Sequence, residues 1–297
     1  MQSKRLKSRE IPRKKKNGFL QAGQVKDLPS WGKGKNHTDV SIARQPEKIP
    51  ALRNLPAYDK SFVALTEPDS IAAEQYKVLR TRILRAGNTK RVILVSSAAP
   101  REGKTVTAIN LAISIAQGLH ETTLLIDADL RNPTLSRLFG IEGGEGRGGL
   151  SGYLTSGGDL AHFLVKTPVP KVSLLPAGPP SPNPSELLGS KRMSDLIQEV
   201  KSRYDNRYII IDSPPLIPIT DSVILSSLAD AVILVAKASV TPRDIIDEAI
   251  LRVEDNDKIM GLVLTNFKDL RLKRYQNYGK DVKGSQDLPG GPDEDKK

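Results

Sequence analysis

The chain has 297 residues, enough for one or two domains, with 38% hydrophobic and 27% charged residues and a formal net charge of +11. That charge is local: residues 1–60 hold 15 Lys and Arg against 5 Asp and Glu, and the remainder holds 30 against 29. A near-neutral body argues against a nucleic-acid surface, and the lack of cysteine excludes a disulfide framework, thiolate catalysis and thiolate metal sites.

Residues 1–65 read as a disordered, basic N-terminal segment. Lys4–Lys16 is densely basic, and Pro29, Gly32, Gly34, Pro46, Pro50 and Pro56 interrupt the stretch beyond it. Apolar residues there are too sparse to offset the entropy of ordering. Trp31 reads as a solvated linker residue. The basic run is either a solvated tail or an attachment to an anionic membrane surface, which attracts each close Lys or Arg by roughly 1 kcal/mol. No apolar stretch comes after it, as a signal peptide requires, and no apolar run reaches the ~18 residues of a membrane span.

A helix is expected from Asp69 or Ser70, with Ala72, Tyr76, Leu79 and Ile83 on one face. From Arg91 the pattern alternates. Strand-like runs lie at Val92–Val95, Thr123–Ile126, Val172–Leu175, Tyr208–Ile211, Ala231–Val235 and Gly261–Leu264. Helical stretches lie at Thr105–Leu119, Lys191–Arg203, Asp221–Leu228 and Pro242–Glu254, the last with Thr241 as N-cap and Pro242 at the first position. Continuous apolar strands separated by helices predict an α/β fold, three layers deep, with a mostly parallel sheet and helices on both faces. The folded domain is expected over 66–267. Residues 268–297 form a polar tail carrying Tyr275 and Tyr278.

Residues 91–105, RVILVSSAAPREGKT, run from a buried strand through a loop into a helix. Gly103, Lys104 and Thr105 match the end of the phosphate-loop pattern, and Ala98 stands in place of its first glycine. Gly103 lets the backbone approach phosphates, and the loop N–H groups with the helix N-terminus form an anion nest. Pro100, Arg101, Glu102, Gly103, Lys104, Thr105 and Val106 are therefore the candidate nucleotide cradle. Lys104 is the candidate for the β- and γ-phosphates, and the Thr105 hydroxyl for Mg²⁺. A chance GKT at a helix start is the bland alternative; the apolar strand ahead of it favours the nucleotide.

Two further strands end on acids. LLIDADLR ends on Asp127 with Asp129 two residues on, and IIIDSPP ends on Asp212. Ligands of a parallel sheet bind outside the carboxyl ends of its strands. The three carboxylates should therefore face the phosphate loop, with Asp127 and Asp212 as candidate metal ligands beside Thr105. Asp127, and second Asp129, are the candidate proton acceptors. Isolated aspartates at such places usually cap turns, and their number argues against that here. Arg131 reads as a contact to phosphate or to an interface carboxylate, or equally as a structural salt-bridge partner.

These stretches resemble the bacterial tyrosine kinases, or BY-kinases, the autokinases of polysaccharide synthesis and export. The resemblance spans roughly 66–267. It rests on Ala98–Thr105 as Walker A, Leu124–Arg131 as Walker A′ and Ile209–Pro215 as Walker B, with GGLSGYL at 148–154 and LLPAGPPSPNPSELL at 174–188. It implies a P-loop fold of the MinD/ParA class, Mg-ATP as donor and tyrosine as acceptor. It further implies phosphorylation of Tyr275 and Tyr278 by a neighbouring subunit within a ring. Ring formation goes with an E-x-x-R-x-x-R helix, met here as Glu74, Lys77 and Arg80, where lysine replaces the middle arginine and loses bidentate pairing. The resemblance also implies a separate membrane partner of the polysaccharide co-polymerase type, as in exosortase-linked systems, and a cytoplasmic chain held at the inner membrane through it. A MinD/ParA-type switch ATPase is the competing reading. That class carries an early lysine in its loop, which SSAAPREGKT lacks before Lys104. A nucleotide-gated scaffold is the non-enzymatic alternative.

Overall fold

The computed structural model describes residues 59–87, 89–141 and 148–267. The expectations for Lys4–Lys16, Trp31, Tyr275 and Tyr278 lie outside these residues. Seven strands form one sheet: β1 Val92–Ser97, β2 Thr122–Asp127, β3 Val165–Lys166, β4 Val172–Leu175, β5 Arg207–Asp212, β6 Ala231–Lys237 and β7 Ile259–Thr265. Their order is β3-β4-β2-β5-β1-β6-β7. All pairs are parallel except β3 with β4. Each central strand is apolar along most of its length because helices cover both faces. Side chains alternate accordingly: Val92, Leu94, Ile209 and Ile211 join one core, while Ile93, Val95 and Ile210 join the other.

The helices are α1 Val63–Thr66, α2 Ile71–Arg85, α3 Lys104–Ala116, α4 Leu135–Leu138, α5 Gly149–Ser156, α6 Pro184–Leu188, α7 Lys191–Arg203, α8 Asp221–Leu228 and α9 Arg243–Leu251. The most buried is α3, whose residues Thr107–Ala116 are all buried between the sheet and α2. Ser70 caps α2 by accepting the Ala73 N–H.

The folded body begins before residue 66. Phe62 is fully buried and meets Phe139 edge-on, with ring centroids 5.0 Å apart. Asn110 of α3 accepts the Ala64 N–H and donates to the Ser61 carbonyl. One large aromatic side chain and one buried amide order a stretch too short to show a period. On α2 the buried positions are Ala73 and Ile83, and Ala72 is exposed. The apolar stripe is therefore set one residue later at its start. Thr241 is not the N-cap of α9, for Pro242 takes that place. The Thr241 hydroxyl instead accepts the Lys237 N–H and donates to Glu102. A buried carboxylate outcompetes a helix end for that hydroxyl.

Candidate active site

Strand register assembles the site. Parallel pairing sets Asp127 of β2 beside Asp212 of β5, and Asp212 beside Val95 of β1, the strand that feeds the phosphate loop. All three strands end on the same side of the sheet. The loop then turns into α3 through Gly103, the N-cap, at φ +94°. A side chain there would be strained, and its Cβ would also lie 3.1 Å from the Thr265 methyl. Ala98 is buried without a left-handed backbone, so its Cβ is accommodated where the common pattern has glycine.

The cradle residues divide by direction. Pro100 and Arg101 are exposed, and Arg101 has φ +63°. Gly103, Lys104, Thr105 and Val106 are half-buried. Glu102 turns inward. Its carboxylate accepts the Ala99 N–H at 2.8 Å and the Thr241 hydroxyl, while its carbonyl accepts the Thr265 hydroxyl at 2.6 Å. It fixes the loop from behind and offers a phosphate only its backbone.

Lys104 Nζ lies 2.9 Å from Asp129 Oδ2. Burial works to lower the Lys104 pKa, but Asp212, Asp129 and Asp127 together hold it above the usual lysine value. The ammonium therefore stays charged. Asp127 is buried, and its Oδ2 accepts the N–H groups of Thr134 at 3.1 Å and Leu135 at 3.0 Å. Asp212 is fully buried. Burial raises the pKa of both acids. Asp212 adds to the rise at Asp127, whose two backbone donors oppose it. At Asp212, Lys104 opposes it.

Asp127 Oδ1 and both Asp212 oxygens have no hydrogen-bond partner. Buried carboxylate oxygens are seldom left so, and these face a lysine and a threonine hydroxyl in a phosphate loop. The donor set fits Mg²⁺, a hard cation that takes one or two carboxylates, a hydroxyl, water and phosphate oxygens. Among the described residues no three acidic or histidine side chains form a closed metal cage. Such a cage is not needed when phosphates complete the shell.

A second polar cluster lies at the rim, where Arg131 forms a salt bridge whose partners sequence reasoning missed. Arg131 donates from Nε to Asp221 Oδ2 at 2.8 Å and from Nη2 to Asp221 Oδ1 at 3.2 Å. Ser185 Oγ bridges them, 2.6 Å from Asp221 Oδ1 and 3.3 Å from Arg131. Asp221 is fully buried. This clamp joins the loop after Asp129, the start of α6 and the start of α8. The DLR and PSELL stretches were its signal, but nothing local pairs residues 54 and 90 positions apart.

Glycines hold the stretch behind α6. A Cβ on Gly149 would lie 2.3 Å from the Gly178 nitrogen, and one on Gly178 would lie 2.0 Å from the Gly148 carbonyl oxygen. The two backbones touch, and Leu150 and Ser151 donate to Pro176 and Ala177 at 2.7 and 2.8 Å. Close approach explains Gly149 of GGLSGYL and Gly178 of LLPAGPP.

Residues 90–246 match a family described as an AAA domain, which covers more than half of the chain. Tyrosine-protein kinase CpsD of Streptococcus pneumoniae is 37% identical over 209 residues, 70% of this chain and 89% of that protein. The chain belongs to the bacterial tyrosine kinases. Tyrosine-protein kinase YwqD of Bacillus subtilis is 34% identical over 223 residues, 74% of this chain and 92% of that protein. Among solved structures, the kinase domain of the Escherichia coli tyrosine kinase ETK superposes with a TM-score of 0.66 at 27% identity, covering 73% of this chain and 85% of that one. The P-loop of this kinase is thus a nucleotide-binding loop, and its mixed sheet is the family's α/β scaffold. The described residues contain no helix long and apolar enough to cross a membrane.

Proposed function

We propose that this kinase transfers the γ-phosphate of Mg-ATP to Tyr275 and Tyr278 of a second copy of itself, and so regulates the synthesis or export of a polysaccharide. The observation that carries the reading is the juxtaposition of Asp127 and Asp212 by strand register, with three unpartnered oxygens beside Lys104 and Thr105. Phosphoryl transfer needs positioning and charge neutralisation more than covalent help. The loop N–H groups and Lys104 bind the phosphates. Lys104 leaves Asp129 to do so, which frees that carboxylate at the site. Thr105 and Asp212 would hold Mg²⁺, which when bound neutralises charge on the transferring group, and Asp127 Oδ1 stays available as the base.

Asp127 accepts the phenolic proton at its free Oδ1 as the tyrosine oxygen bonds the γ-phosphorus and the bond to the ADP oxygen breaks. A phenol with a pKa near 10 is a weak nucleophile. A carboxylate whose pKa is raised by burial is a better-matched base than a free one. Asp129, paired with Lys104 at 2.9 Å, is the second candidate.

Assembly through α2 belongs to the same proposal. Glu74 and Lys77 pair at 2.5 Å on its surface, and Val78 is 46% exposed beside them. Arg80 donates inward to the Ser114 carbonyl at 2.9 Å, so it ties α2 to α3 while Glu74 and Lys77 face outward. A ring of copies would bring each tail to a neighbour's site. A separate membrane protein of the co-polymerase type would activate the kinase and hold it at the inner membrane, with the basic N-terminal segment as an additional contact to anionic lipid.

The test is mass spectrometry of intact protein and of peptides after incubation with Mg-ATP, beside Lys104→Met. Phosphate on Tyr275 or Tyr278, absent from the variant, is the expected result. Lys104-dependent ATP hydrolysis without phosphotyrosine, even with a membrane activator added, would overturn it.

A further inference from the structure

The Asn183–Leu188 stretch borders the site but takes no part in the transfer chemistry derived above. Its geometry is nonetheless fixed. Pro184 and Leu188 are buried, and Ser185 is locked into the Arg131–Asp221 clamp. The next residue, Glu186, is exposed. Its carboxylate makes no salt bridge to any described residue. It stands near enough to Arg131 for its charge to help hold that guanidinium protonated, behind the larger effect of Asp221.

The other acids at this end of the sheet are not available to an incoming peptide: Asp129 is paired with Lys104 and Asp221 with Arg131, and Asp127 and Asp212 are buried inside the site. Among the described residues Glu186 is an exposed acid without an ion pair at this rim, on a helix anchored by buried Pro184 and Leu188 and by Ser185. The acceptor segment proposed above has the opposite sign. Residues 268–280 contain Lys268, Arg271, Lys273, Arg274 and Lys280 against the single acid Asp269, and Lys273 and Arg274 directly precede Tyr275.

Resting on the autokinase reading, we infer that Glu186 is a specificity-determining residue that reads the basic pair before Tyr275 on a second copy of this chain. Complementary rim charges steer encounter and fix register more than they add raw affinity. One exposed pair contributes little, and salt screens it. The effect therefore belongs to acceptor recognition and leaves ATP turnover alone.

The experiment uses full-length chains in two roles. The donor carries Tyr275→Phe and Tyr278→Phe, with Glu186 native, Glu186→Gln or Glu186→Lys. The acceptor carries Lys104→Met, with its tail native or with Lys273→Glu and Arg274→Glu. The readout is the rate of phosphate incorporation at the acceptor tyrosines. Glu186→Lys is expected to slow labelling of the native tail about five-fold, and Glu186→Gln about two-fold. The Glu186→Lys donor should label the reversed tail faster than the native donor does. About 0.5 M salt should flatten these differences, because the Debye length is then well below 10 Å. Lys104-dependent ATP hydrolysis by the donors should be unchanged. Equal losses on both tails, or no change on either, would overturn the assignment of Glu186 while leaving the autokinase reading intact. A native donor that labels neither tail but hydrolyses ATP would overturn both.

Discussion

Two pairs of buried or nearly buried acids lie at the same end of the sheet, and they are treated in opposite ways. Asp129 and Asp221 each hold a cation, at 2.9 and 2.8 Å. Asp127 and Asp212 sit side by side with three oxygens unpartnered. The first pair stiffens loops. The second stores unfavourable desolvation that a bound cation or an incoming proton would relieve. Chain position does not separate them, because Asp127 and Asp129 are two residues apart at the end of β2.

The sharpest way to break this contrast is at Lys104, the cation that serves both groups. Lys104→Met should lower phosphotyrosine formation by about 10²–10³-fold, as loss of a main electrostatic stabiliser does, and circular dichroism should show the fold retained. Next in size is Gly149→Ala. It sets a Cβ against the Gly178 backbone in a left-handed conformation, and should cost about 3 kcal/mol or more in denaturant unfolding. Arg131→Ala strips the clamp and leaves Asp221 buried without its partner. Removing one member of a fully buried pair costs about 3–5 kcal/mol. The Arg131 side chain is 40% exposed, so about 2 kcal/mol is expected in the same measurement.

The unpartnered pair should respond with the opposite sign. Burial raises the folded-state pKa of Asp127 above its unfolded value. The folded protein then binds more protons than the unfolded chain over that interval. Stability falls as pH rises from the unfolded value of about 3.9 to the raised one, and stays lower above it. Asp127→Asn should therefore stabilise the protein at pH 8 and lose that advantage near pH 4. Thermal melts at the two pH values check this. A destabilised variant at pH 8 would show that the carboxylate is satisfied after all. The smallest effect is expected at Glu74→Gln, where an exposed i,i+3 pair contributes roughly 0.3 kcal/mol to stability.

Much of the scaffold was legible because it depends on local runs. The apolar stretch at 92–95 became β1, and Lys191–Arg203 became α7 at the expected ends. GKT followed β1 into α3, and the Asp127 and Asp212 strand ends met as a parallel sheet requires. The hidden features were set by distant partners. Gly149–Ser156 is a helix although glycines stand at 148 and 149, because its backbone is pressed on 176–178. Phe62 is core because Phe139 receives it. The roles of Asp221, Ser185 and Thr241 depend on contacts 36 to 139 residues away. No local spacing encodes such contacts.

The pairing of Asp127 with Asp212 is also a matter of counting. Parallel neighbours Thr122↔Arg207 through Asp127↔Asp212 keep step over six residues, and side chains alternate faces at every step. One residue inserted into β2 would turn its terminal carboxylate to the other face while leaving the strand as apolar as before. Strand length thus decides whether these two carboxylates meet. Relatives should tolerate exchanges among Val, Ile and Leu in β2 and β5 far more readily than any single insertion or deletion there.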